Sequence, residues 1–116
     1  GMGFPVAIRA RDAGVRSSLG VDIVSNYSGD LFAQMRACLQ ATRALENREY
    51  EARDRAPARI RVKCRDVLDL ATREGAIAAG LGSEAGVLEV GRLADNVLVR
   101  TDSIRMSPAI DAVGAV

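Results

Sequence analysis

The sequence predicts a helix-rich α/β chain, and three observations carry that reading. Residues 29–53 repeat apolar side chains at three- and four-residue spacing, the mark of an amphipathic helix. Four short runs, 15–19, 59–65, 87–90 and 97–99, carry branched aliphatics or period-2 alternation and read as strands or extended chain. Glycines at 14, 20, 80, 82, 86 and 91 punctuate these elements.

Composition sets outer bounds. The chain has 116 residues, a length that suits one domain. Hydrophobic residues make up 48% and charged residues 27%, a globular rather than disordered balance. Phe4, Tyr27, Phe32 and Tyr50 are the only aromatics, so aliphatics and alanine must build the core. The net charge of +1 points to no particular partner. No apolar run approaches the roughly 18–20 residues of a membrane span, and no signal-peptide pattern is present. Gly1 before Met2 reads as a tag scar. Cys38 and Cys64 form no CxxC pair and fit a reducing compartment, so a cytoplasmic location is expected. Histidine is absent. That excludes His-based acid/base chemistry and any His-ligated metal site built from this chain alone.

The elements follow in order. Residues 4–13 alternate apolar positions but also fit a short helix, with Pro5 suited to its first turn and Gly14 to its C-cap. Val15 to Leu19 reads as a strand ended by Gly20. Ser28 suits an N-cap and Asp30 the first turn of the long helix, whose apolar side is Leu31, Met35, Cys38, Leu39, Thr42 and Leu45. Glu49–Arg53 and Glu51–Arg55 are spaced as i,i+4 pairs, and Pro57 ends the helix. A second helix is predicted over 65–73, interrupted at Gly75, with a further helical turn to Leu81.

Four features could carry chemistry. Asp22 lies just past a predicted strand, where a carboxylate either ligates a metal and takes a proton from its water or caps a solvated loop. The glycines of GLGSEAGVLEVG have GxGxxxG spacing after a helix, not the dinucleotide pattern, and read as turn residues. Arg59, Arg61, Lys63 and Arg65 could hold phosphates or form a solvated face, with no aromatics interleaved to stack bases. Cys38 faces the apolar side of the long helix and reads as core.

Several stretches together resemble the amidohydrolase superfamily, in its cytosine deaminase, chlorohydrolase and adenosine-type deaminase branch. GFPVAIRARDAGVRSSLGVDIVSN is similar to that group's helix, turn, last barrel strand and "SLGTD…SN" loop. SGDLFAQMRACLQ resembles the following helix, and DVLDLATREGAIAAGLGSEAGVLEVGRLADNVLVR and MSPAIDAV resemble later segments. The resemblance implies a metal-dependent hydrolase of C–N bonds in small heterocycles, with zinc or iron and a (β/α)8 barrel beside a small β-sandwich. Asp22 matches the family's metal ligand and proton acceptor, and Ser25 and Asn26 match the loop behind it. The family's HxH and later histidines have no counterpart, Val21 replaces the usual Thr, and Asn96 replaces an aliphatic.

The expectation is therefore a C-terminal fragment. The α/β fold would comprise the last strand and helices of the barrel (1–82) and part of the β-sandwich (83–116). Such a piece is expected to bind no metal by itself and to be inactive alone. It would self-associate through exposed strand edges and a helix face, or complete a barrel with an N-terminal half chain. Neither a membrane nor nucleic acid is expected as a partner.

Overall fold

A computed structural model describes residues 3–25, 28–104 and 106–115. Five helices follow in order: α1 (Ala7–Asp12), α2 (Leu31–Glu51), α3 (Cys64–Ala71), α4 (Arg73–Ala78) and α5 (Ala112–Ala115). Among the described residues there is no strand. The expected α/β fragment, with a last barrel strand and part of a sandwich, is thus overturned. The reason is physical: a strand exists only where a neighbour takes its backbone hydrogen bonds. Residues 15–19, 59–63, 87–90 and 97–99 find no such neighbour, and Cys64 and Arg65 enter α3 instead.

The long helix forms where its periodicity places it, over Leu31–Glu51. No Gly or Pro interrupts residues 31–56. Asp30, not Ser28, is the N-cap, accepting from the Ala33 amide at 2.7 Å. Ser28 supports it by donating its hydroxyl to the Asp30 carboxylate. The helix ends in a Schellman motif: Arg55 N–H reaches Tyr50 O and Asp54 N–H reaches Glu51 O. Asp54 occupies the left-handed position, φ 49°. Because α2 stops at Glu51, Arg53 and Arg55 lie past its last turn, and the two expected i,i+4 pairs do not form.

The same ending closes α1 and α4. Val15 N–H bonds Ala10 O and Gly14 N–H bonds Arg11 O, with Gly14 at φ 79° as its sequence position suggests. Leu81 and Gly80 repeat the pattern after α4. The break between α3 and α4 falls at Thr72 (φ −119°, ψ −91°), and Gly75 lies inside α4 rather than breaking it. Gly86 holds φ 91°, and a Cβ there would meet Ala76 Cβ at 2.6 Å, so the loop after α4 can close only on glycine.

The core is small. Ile8, Met35, Cys38, Val62, Val67 and Leu70 are buried, with Leu19, Phe32, Leu39 and Leu68 packed around them. Burying each of the larger of these contributes about 1.5–3 kcal/mol. Arg43 clamps the segment carrying Val62 onto α2: its Nε and a terminal nitrogen both donate to Val62 O, at 3.0 and 2.8 Å. A chain of ion pairs spans the elements. Glu46 of α2 binds Arg61; Arg61 reaches Asp12 of α1 at 2.5 Å; Arg11 beside it meets Asp66 of α3 at 2.9 Å. By contrast, residues 94–102 make no backbone–backbone hydrogen bond among the described residues.

Candidate functional site

Asp22 is positioned by what precedes it. After α1 the chain turns at Gly14 and runs back along the helix. Ser17 Oγ donates to Ala7 O at 2.9 Å, and Leu19 N–H donates to Leu70 O at 3.4 Å while its side chain packs against the core. Leu19 is the last anchored residue. Gly20 and the half-buried Val21 follow, and then Asp22 at φ 58°, in the left-handed region that few side chains adopt. Its side chain is exposed, with no hydrogen bond or ion pair among the described residues. Ser25 is exposed as well, and Asn26 lies outside the described residues.

Beside this stretch runs a groove of about 420 Å³, between Ser17–Gly20 and the faces of α1 and α2. Asp22 does not line it. Cys38 does, but burial pushes its thiol above the ordinary value against the opposing bond with Thr42. A buried, protonated thiol is a packing group rather than a nucleophile. Thr42 also spends its hydroxyl locally, donating to Cys38 O at 2.7 Å.

The donor set does not fit a metal. A catalytic zinc or iron site needs about three protein ligands converging on one point. Among the described residues no three Asp, Glu or Cys side chains gather in that way, and histidine is absent from the sequence. Asp22 stands alone.

The basic stripe is dispersed. Arg61 is consumed by Glu46 and Asp12, Lys63 precedes α3 and Arg65 lies within it. A different set converges instead. A groove of about 850 Å³ runs along the C-terminal half of α2 under residues 57–61, and Arg9, Arg43, Arg48, Arg59 and Arg61 all line it. Arg9 and Arg48 were not visible as partners of Arg59 in the sequence, because only the packing of α1 and the 57–61 segment on α2 brings them together. No described helix is long and apolar enough to cross a membrane.

The amidohydrolase family model matches residues 3–114, so this chain belongs to the amidohydrolase family. Two curated relatives are each named 5-methylthioadenosine/S-adenosylhomocysteine deaminase. The one from Halobacterium salinarum is 36% identical over 104 residues, 89% of this chain and 21% of that protein. The one from Syntrophobacter fumaroxidans is 36% identical over 89 residues, 76% of this chain and 18% of that protein. The chain thus spans about a fifth of the length of the curated relatives it matches. No solved structure matches it significantly.

Proposed function

We propose that this chain contributes Asp22 to the hydrolytic site of a deaminase-like amidohydrolase that releases ammonia from an adenosine-type heterocycle, and that it is inactive alone. The family match over residues 3–114 carries the reading. The two deaminase-named relatives support the reaction type. The lone, exposed Asp22 and the missing histidines support the second half, because hydrolytic deamination needs a set of converging groups and this chain supplies one. The remaining ligands then lie on another stretch of polypeptide, joined to this one or assembled with it.

The test is ammonia release from 5-methylthioadenosine. This chain alone gives none, and metal analysis of it finds less than one zinc or iron per chain. Joined to the rest of the Halobacterium relative in place of its matching segment, it supports turnover, and Asp22→Asn lowers that turnover by about a hundredfold or more. Activity of the chain alone would sink the second claim. Undiminished turnover with Asp22→Asn would sink the first.

A further inference from the structure

We propose that the groove along the C-terminal half of α2 is a docking site for an acidic polypeptide segment. Five guanidiniums border it against two carboxylates, Glu46 and Glu49. This concentrates positive charge in a chain whose net charge is only +1. Two of the five are already committed: Arg61 to Glu46 and Asp12, Arg43 to the Val62 carbonyl. Arg9, Arg48 and Arg59 have no ion-pair partner among the described residues, and all three are exposed. Guanidinium groups bind carboxylates in bidentate, planar fashion, so three on one groove favour a ligand with repeated carboxylates.

Shape and polarity argue for a peptide. The groove follows α2 from Thr42 to Ala52, a rise of about 15 Å, the reach of about five extended residues. Between the arginines the lining also offers apolar surface: Tyr50 is 38% exposed and Ile60 63% exposed. A segment alternating carboxylate and apolar side chains would meet the arginines with one set and Tyr50 and Ile60 with the other. The committed pair Arg61–Glu46 and the Arg43 clamp hold the 57–61 wall in place without a ligand, so the groove is preformed.

Fluorescence anisotropy on the whole chain tests this, with labelled peptides alternating Glu with Leu, or Lys with Leu. The acidic peptide binds, its affinity falls with added salt, and the basic one does not bind. Arg48→Glu with Arg59→Glu weakens binding about tenfold or more while the helical circular dichroism is unchanged. Should the double reversal disturb folding, Arg48→Gln and Arg59→Gln are read singly, each weakening binding. Glu49→Gln tightens it. Equal binding of both peptides, or acidic-peptide binding that survives every arginine variant, overturns the proposal. So does displacement by inorganic phosphate at concentrations where chloride has no effect, which would assign the groove to a small anion.

Discussion

Asp54 and Asp22 hold the two left-handed backbone positions among described non-glycine residues, at φ 49° and 58°. An L-residue there is held against its steric preference, and glycine is not. Asp54→Gly is expected to stabilise the chain by about 0.5–1 kcal/mol, read as a shift in urea midpoint at constant m-value. Asp22→Gly is expected to gain a similar amount, about 0.5–1 kcal/mol, while removing the candidate functional carboxylate. Gly86→Ala runs the other way. It adds a Cβ at φ 91° against Ala76 and should cost about 1–3 kcal/mol in the same measurement. The sequence pattern puts Asp22 just past a strand, and among the described residues no strand forms there; the chain before it is anchored at Leu19 instead. Its backbone strain was not legible, because nothing in the neighbouring residue types demands a left-handed turn there. The donor set was half legible: the missing histidines were countable, but only the fold shows that among the described residues no three acids or thiols gather at one point.

At the scale of elements, two caps act on acidification in the same direction. Asp66 accepts from the Lys63 amide at 2.7 Å and binds Arg11. Partial burial pushes its carboxyl up, but the Lys63 amide and the Arg11 guanidinium outweigh that and hold it below the ordinary value of 3.8. Asp30 is held low first by the Ser28 hydroxyl and then by the Ala33 amide. A carboxyl lowered in the fold stabilises it fully above the unfolded value and ceases to as pH falls through the lower folded one. Thermal stability should therefore drop below about pH 4. Asp66→Asn should flatten that acid limb, and Asp30→Ala should reduce helical circular dichroism already at neutral pH. The long helix was legible because its pattern is local and repeats every turn. The strands were not, since β-like composition states what a segment would do beside a partner and cannot supply one. The α3–α4 break shows a finer limit. Gly75 was the residue with the weaker helix propensity, yet Thr72 yields, its hydroxyl turned back onto Leu68 O at 2.7 Å.

The whole molecule is open for its size. It exposes 8924 Å², where a compact chain of 12.3 kDa exposes about 6100 Å². Its radius of gyration is 15.8 Å against about 13 Å expected. The excess of roughly 2800 Å² exceeds the share one protein gives to a standard interface, about 800 Å². Much of it is apolar, with Val90, Leu98 and Ile104 each over nine-tenths exposed. Purified chain is therefore expected to self-associate, and light scattering that finds a single monomeric species at all concentrations would refute this. So small a core leaves little reserve. Leu70→Ala, at a fully buried position, should cost about 2–5 kcal/mol and abolish the cooperative thermal transition. The backbone of residues 94–102, which bonds to no other backbone group among those described, has a consequence in time rather than in energy. Arg100, with its side chain 85% exposed, sits in that stretch, whereas the backbone at Arg43 is locked within α2. Trypsin, which needs an extended, accessible chain, should cut after Arg100 well before it cuts after Arg43. A partner that covered that segment would first be noticed as a clock running slow: the Arg100 cut delayed relative to the cut after Arg43.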